Sequence, residues 1–278
     1  MSVAVAIVTH RNASTIEACL ASVLASPLVS FVRVVDSGSD DDTVAVVSRF
    51  ASQDSRLHFI ASELNVGFGP GINLAVEDLP ASFNGPLLVL NPDCVLEPAD
   101  LVALLAVAPS DALVGTSLMS ADGELDGNAR RNDLLFWPTL QRLVGGSYSF
   151  LVPSDGSALQ EVQAISGAVM LMPLAVFRAR GGFDEGYRLH AEDLDFCARA
   201  RAIGVRVLCA NDVVVTHLRS VSSRRRPWFV EFNKHRGLAR YFGKFEASGL
   251  NWAQRLLVYA LIWGRFPFAF LRAAVRAV

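Results

Sequence analysis

What most limits the fold of this sequence is a pattern that occurs four times in its first third: a short apolar run that stops abruptly at a polar cluster. Val3–Val8 leads into Thr9-His10-Arg11-Asn12, and Phe31–Val35 into Asp36-Ser37-Gly38-Ser39. Leu57–Ala61 precedes Asn65-Val66-Gly67, and Leu87–Leu90 runs directly into Asn91-Pro92-Asp93. Apolar runs of this length without alternation predict strands covered on both faces. Between them, Ser14–Ala25, Thr43–Phe50 and Gly71–Val76 have helical spacing; Ile16, Leu20, Val23 and Leu24 share one face of the first, with Ser14 or Thr15 as its cap. Alternating strands and helices imply right-handed crossovers and an α/β fold: an open, Rossmann-like, mostly parallel sheet with helices on both faces. Ligands of such sheets bind beyond the carboxyl ends of the strands. All four polar clusters lie there.

Past residue 110 the pattern loosens. A strand is expected at Leu113–Ser117, a turn at Asp122-Gly123, and a loop over Gly145–Ser157. Strands at Val162–Ser166 and Val169–Met172 follow, then a helix from Leu174 to the Gly181-Gly182 stop, a helix at Glu192–Ile203 and a last strand at Val213–Val215. The 278 residues suffice for one large α/β domain with an appendage.

A net charge of −2 argues against a general nucleic-acid binder. Cys19, Cys94, Cys197 and Cys209 are widely spaced, with no C-x-x-C pair or zinc-finger spacing, and read as buried thiols of a reducing compartment. The N-terminal apolar run lacks a basic n-region and reads as a first strand rather than a signal peptide. No run reaches the ~18 uninterrupted apolar residues expected of a spanning helix. A cytoplasmic protein, apposed to the membrane, is the expectation.

The chemistry-bearing motifs are individually ambiguous. Asn91-Pro92-Asp93 presents a carboxylate on a rigid support; it suits a divalent cation shared with a diphosphate, or a helix cap before Pro98. Three glycines in Gly67-Phe68-Gly69-Pro70-Gly71 allow close backbone approach to phosphate or ribose, or merely a tight turn. Glu192-Asp193-Leu194-Asp195 opens a helix, which favours capping, although a base there needs position before pKa. His217 ends an apolar strand, where a satisfied histidine is the ordinary case and a metal ligand the rarer one.

Taken in order, these blocks resemble glycosyltransferase family 2, of the GT-A fold, over residues 3 to about 242. The resemblance lies in Val-Thr-His-Arg-Asn at 8–12, Val-Val-Asp-Ser-Gly-Ser-Asp-Asp-Asp-Thr at 34–43, Asn-Val-Gly-Phe-Gly-Pro-Gly-Ile-Asn at 65–73 and Asn-Pro-Asp at 91–93. It continues in Ser-Gly-Ala-Val-Met-Leu at 166–171, Gly-Gly-Phe-Asp-Glu at 181–185 and Glu-Asp-Leu-Asp-Phe-Cys-Ala-Arg at 192–199. The subgroup is similar to bacterial rhamnosyltransferases of cell-surface polysaccharide assembly. The resemblance implies a nucleotide-sugar-binding half at 1–110 and an acceptor-binding half at 111–242; beyond it, 243–278 reads from its own composition as a C-terminal amphipathic helical segment.

It also implies site residues. Thr9, Arg11, Asp36 and Ser37 would line the nucleotide pocket, with Gly67 and Asn73 on the loop beside them. Asn91 would stand in for the first acid of a D-x-D motif, with Asp93 as its metal-binding acid and His217 as a second metal ligand for Mg²⁺ or Mn²⁺. Asp193 would be the general base of an inverting transfer, with Glu192 and His190 toward the acceptor. The implied donor is a dTDP- or UDP-sugar carrying rhamnose or a related hexose, and the implied acceptor a glycan or lipid-linked glycan. Competing readings are a sugar nucleotidyltransferase, which would want a Gly-rich basic loop after the first strand, and a non-catalytic partner subunit that only binds.

Asn251–Val278 is rich in Leu, Phe and Trp and punctuated by Arg255, Arg265, Arg272 and Arg276. Pro267 is expected to kink or split it. Such a helix suits peripheral contact with a membrane, or packing against the sheet or a second subunit as a homodimer. The basic run Arg224-Arg225-Arg226 is a further candidate for acceptor phosphate, or merely meets solvent.

Overall fold

The computed structural model describes residues 2–142, 149–218 and 227–276. The first half follows the expected alternation: β1 (Val3–Thr9), α1 (Ile16–Leu24), β2 (Val29–Ser37), α2 (Thr43–Gln53), β3 (Leu57–Ser62), α3 (Phe68–Glu77) and β4 (Pro86–Leu90). Next come β5 (Cys94–Val95), α4 (Pro98–Val107), β6 (Ala112–Met119), β7 (Arg130–Arg131) and α5 (Phe136–Arg142). Then follow β8 (Leu159–Glu161), β9 (Ala164–Ile165), β10 (Val169–Pro173), α6 (Leu174–Ala179), α7 (Glu192–Arg201), β11 (Arg206–His217), α8 (Pro227–Phe245) and α9 (Trp252–Arg276).

The main sheet has the order β3-β2-β1-β4-β10-β6-β11-β5, with β8 also on β11. Strands β1 to β4 pair in parallel, β10 runs antiparallel between β4 and β6, and β11 is again parallel to β6. Every residue of β1 is buried, as its unbroken apolar run requires. Apolar side chains on the two sides of the sheet form two separate cores.

Three departures from the sequence reading matter. Helix α3 starts at Phe68, three residues before the expected Gly71, because a proline is tolerated in a first turn whose N–H groups have no helical partner. Gly67, at φ +89°, supplies the left-handed entry, and Gly71 lets the helix approach β1 so closely that a Cβ would meet Val8 Cγ2 at 2.7 Å. Secondly, the last strand is twelve residues long, and its end pairs antiparallel with the short β5, setting His217 opposite Cys94.

Thirdly, α9 is continuous through Pro267, and α8 runs through the boundary expected at 242. The two form a helical hairpin zipped by aromatic contacts, Trp228 with Phe266 and Phe270 at one end and Phe242 with Tyr259 at the other. Trp252–Val275 is long and apolar enough, by length and composition, to cross a membrane, with a mean hydropathy of 1.4 in its most apolar window. Its arginines interrupt the run but do not lower the average below that of a span. Its outer face is exposed at Leu256, Phe268, Leu271 and Val275. Part of the Gly145–Ser157 loop, Arg224–Arg226 and the last two residues lie outside the described residues.

Candidate active site

Two cavities lie side by side along the carboxyl edge of the sheet. The first, about 340 Å³, is lined by Thr9, His10, Arg11 and Asn12 after β1, Ser37 after β2, Asn65, Gly67 and Phe68 after β3, and Asn91, Pro92 and Asp93 after β4. Arg188, Leu189 and the α8 residues Phe229 and Val230 close it. The four polar clusters therefore converge as the topology demands.

Local hydrogen bonds make this rim rigid. The Asp36 carboxylate accepts from Thr9 Oγ1 at 2.8 Å, from the Ser39 N–H at 2.8 Å and from Ser39 Oγ at 2.6 Å. It is buried and braces the β1 and β2 turns from behind instead of lining the cavity. Ser37 Oγ accepts from the Gly67 N–H at 3.1 Å, tying the glycine turn to β2. Arg11 has left-handed backbone (φ +59°), donates its N–H to Ser39 Oγ, and pairs through its guanidinium with Asp40.

Asn73 stands apart from its expected place. Its amide accepts from the Phe183 N–H at 2.8 Å and donates to the Phe183 carbonyl and Glu185 Oε1, both at 3.0 Å. It pins α3 to the 183–185 turn, away from the cavity.

At the far end of this cavity the β5–β11 pairing joins Asp93 to His217. Asp93 Oδ1 and His217 Nε2 are 3.2 Å apart, and the Leu218 N–H donates to the Asp93 carbonyl at 2.7 Å. Cys94 completes a cluster whose ligand atoms lie within 4.8 Å of one another. Burial, with the adjacent Asp93 carboxylate, pushes the Cys94 thiol up, and a soft sulfur donor suits neither Mg²⁺ nor Mn²⁺. The usable set is one carboxylate and one imidazole. That set suits Mg²⁺ or, with its nitrogen, Mn²⁺, whose remaining positions fall to phosphate oxygens and water.

The second cavity, about 730 Å³, holds Asp193, Glu192 and His190 together with Arg131, Lys234 and His235. Asp193 does not cap α7. Its Oδ2 accepts from Arg131 at 2.6 Å and from the Gly167 N–H at 3.0 Å, and its Oδ1 from the Leu194 N–H at 2.8 Å. Burial alone would raise its pKa, but the Arg131 guanidinium and these donors outweigh it and hold the carboxyl below the usual range. Glu192, buried beside that charge, is pushed up to about 8, and its Oε2 has no hydrogen-bond partner among the described residues. The two neighbouring acids are thus split, one ionised and one protonated near neutrality. Asp195, in the same cluster, is fully buried and engaged by Arg199 and Lys244, a structural role.

Only a thin partition separates the cavities. Arg188 and Leu189 line the first and His190 and Ala191 the second, the last two in left-handed conformation (φ +66° and +71°). Helix α8 crosses both, presenting Phe229 and Val230 to one and Lys234, His235 and Leu238 to the other. A Cβ on Gly167 would lie 3.3 Å from that of Asp193 and 3.7 Å from the Phe68 ring of the first cavity.

Sequence reasoning missed Arg131, the ion-pair partner of the predicted base. It sits on a two-residue strand paired with β9, in a stretch with no periodic pattern. The Arg130-Arg131 pair was its only signal.

Residues 4–163 match the family model for glycosyl transferase family 2. The chain belongs to glycosyl transferase family 2. It is 27% identical over 244 residues, 79% of this chain and 77% of the other, to an N-acetylglucosaminyl-diphospho-decaprenol L-rhamnosyltransferase of Mycobacterium tuberculosis. It is 24% identical to the low-salt glycan biosynthesis hexosyltransferase Agl10 of Haloferax volcanii, over 72% of this chain and 62% of that one. Among solved structures it resembles the mannosyltransferase PcManGT of Pyrobaculum calidifontis in complex with GDP-Man and Mn²⁺, with a TM-score of 0.60 at 17% identity, covering 99% of this chain and 73% of the other. That likeness confirms the GT-A architecture expected from the motifs.

Proposed function

We infer that this family 2 glycosyltransferase performs a single, inverting displacement at the anomeric carbon of a nucleoside-diphosphate sugar. The donor would be a dTDP- or UDP-sugar, with rhamnose or a related hexose, and the product part of a cell-surface polysaccharide. The observation that carries this reading is the pairing of two adjoining cavities, one reaching Asp93, which His217 approaches from behind at 3.2 Å, and the other holding an ionised, oriented Asp193.

The nucleotide occupies the first cavity, where Thr9, Arg11, Ser37, Gly67 and Asn91 form the polar rim. Asp93 and His217 are the residues to hold a divalent cation, which when bound neutralises charge on the diphosphate leaving group. In the second cavity Asp193 accepts the proton of the acceptor hydroxyl as its oxygen bonds to the anomeric carbon and the bond to the diphosphate oxygen breaks. A low pKa does not disqualify this base, because the hydroxyl becomes acidic only as that bond forms. Arg131 and Gly167 fix the carboxylate, and protonated Glu192 adds no second charge that would repel the leaving group. The acceptor, a glycan or lipid-linked glycan, approaches past His190. Catalysis takes place at the cytoplasmic face, with peripheral membrane contact through 251–278.

The relatives named above support this reading, as does the absence of a Gly-rich basic loop after β1, which a nucleotidyltransferase would want. The test is a thermal-shift screen of dTDP- and UDP-sugars with Mn²⁺ or Mg²⁺, followed by NMR of the product's anomeric centre. A metal-dependent stabilisation and an inverted product are expected. Retention of configuration, or no nucleotide sugar bound with either metal, would refute it.

A further inference from the structure

Charge in the first cavity does not balance on Asp93 and its cation alone. A nucleoside-diphosphate sugar brings two negative charges on its diphosphate, and Asp93 adds a third. A divalent cation cancels two of them and leaves one. The diphosphate gains a further negative charge as its bond to the anomeric carbon breaks, so the imbalance is largest at the transition state, where a protein cation contributes most to the rate.

Two arginines line this cavity, and they differ in what they already hold. The Arg11 guanidinium is taken by Asp40. Arg188 is exposed, and its guanidinium is in no ion pair among the described residues. Its Nη2 donates to the Asn65 carbonyl at 2.8 Å, and the group lies 6.0 Å from the Phe229 ring centroid, at the outer limit of a cation–π contact. Both partners are neutral. They orient the charge without cancelling it, and they leave most of the five guanidinium N–H donors for a ligand.

The backbone sets this charge beside the place for phosphate. A Cβ on Gly67 would lie 3.1 Å from the Arg188 carbonyl oxygen, so the 188 segment touches the turn whose glycines allow close approach to phosphate. Asn65 belongs to the same turn. In a cavity of only about 340 Å³, a diphosphate that reaches Asp93 is also within reach of an arginine on the cavity wall. Arg188 stands on the partition that leads to Asp193, where the bond to the leaving group lies when sugar passes from one cavity to the other. It falls between the motif blocks at 181–185 and 192–199, so the resemblance assigns it nothing.

We propose that Arg188 is a catalytic residue: its guanidinium binds the donor's diphosphate and neutralises the charge that this group gains as it leaves. The electron pair of the broken bond goes to the diphosphate oxygen, the acceptor oxygen forms the new bond to the anomeric carbon, and its proton goes to Asp193. The planar fork of a guanidinium meets two phosphate oxygens at once, which a lysine does not match. This rests on the glycosyl-transfer reading above and adds a residue to its donor site.

The test uses calorimetry on the full chain with Mn²⁺, with the diphosphate, monophosphate and nucleoside of uridine and of thymidine as probes. Arg188→Gln should weaken the preferred diphosphate about tenfold while the monophosphate and nucleoside stay within about twofold, and Arg188→Lys should recover part of the loss. Because the side chain is exposed, both variants should melt with the wild type. Sugar transfer at saturating donor should fall about a hundredfold in Arg188→Gln, more than binding does, since the charge grows as the bond breaks. Equal weakening of diphosphate, monophosphate and nucleoside would mean that Arg188 merely props the 65–67 turn, and this overturns the proposal. So does unchanged diphosphate binding. A wild type that binds neither diphosphate with Mn²⁺ would instead defeat the transfer reading itself.

Discussion

Replacing Arg131 by Gln removes the cation that keeps Asp193 ionised, and the structure sets the size of the effect. The bridge is 2.6 Å long between side chains only 10% and 16% exposed, so it belongs with buried pairs, whose disruption costs about 3 kcal/mol at the lower end. Asp193 can recover most of that cost by taking up a proton, so losing the Arg131 guanidinium raises its pKa. The buried Glu192 offers no relief, being a second acid held neutral. In the wild type the base is ionised throughout the range from pH 5 to 7.5, and kcat/KM should be flat on its acid side. In Arg131→Gln the acid limb should move up toward the assayed range, so that kcat/KM falls further between pH 7.5 and pH 5 than in the wild type. The ratio between the two pH values is the readout, because it does not depend on how far misorientation lowers the rate overall. A variant profile that superimposes on the wild type after scaling would refute the claim that Arg131 sets the charge of Asp193.

Three further outcomes follow from the geometry. Asp93→Asn should leave metal-free UDP binding unchanged but abolish the gain from Mn²⁺, at least about tenfold in Kd by calorimetry, because the substitution removes the one carboxylate of a two-ligand site. Glu192 has a folded pKa near 8, above its ordinary value, so the folded state binds the extra proton and loses stability as pH rises from about 4.5 to 8. Glu192→Gln should therefore melt closer to the wild type at pH 5 and several degrees higher relative to it at pH 8; a constant difference in Tm would contradict the assignment. Gly71→Ala forces a methyl group against Val8 and should cost about 1–3 kcal/mol, seen as a Tm lower by several degrees, together with weaker nucleotide binding at the cavity floor.

The first half of the fold was legible because physics writes it locally. Each of these buried strands is a largely apolar run, and each ends in polar residues that the topology gathers at one edge, so the polar rim of the first cavity follows from β1, β2, β3 and β4. Asp93 and His217 were not legible from their own neighbourhoods, since a two-residue β5 pairing with the end of β11 joins them, and no periodicity signals so short a strand. The ordered family motifs supplied what periodicity could not. Arg131, Lys234 and His235 escaped for the same reason: each reaches the site from an element whose position is fixed by tertiary packing. Asn73, which the resemblance set on the loop beside the pocket, lies one turn into α3, where its side chain faces the 183–185 segment and satisfies that backbone. Pro267 was expected to break α9, yet the α8–α9 aromatic contacts on both sides of it hold a continuous helix.

Asp193→Asn separates the role of Asp193 from that of Asp93 most directly. In this variant, Kd for the nucleotide sugar with Mn²⁺ should stay within about twofold of the wild type, because Asp193 lies in the other cavity. Sugar transfer under saturating donor should fall by about 10²–10⁴, the usual contribution of a positioned general base. Transfer within a few-fold of the wild type, with donor binding intact, would contradict Asp193 as the base.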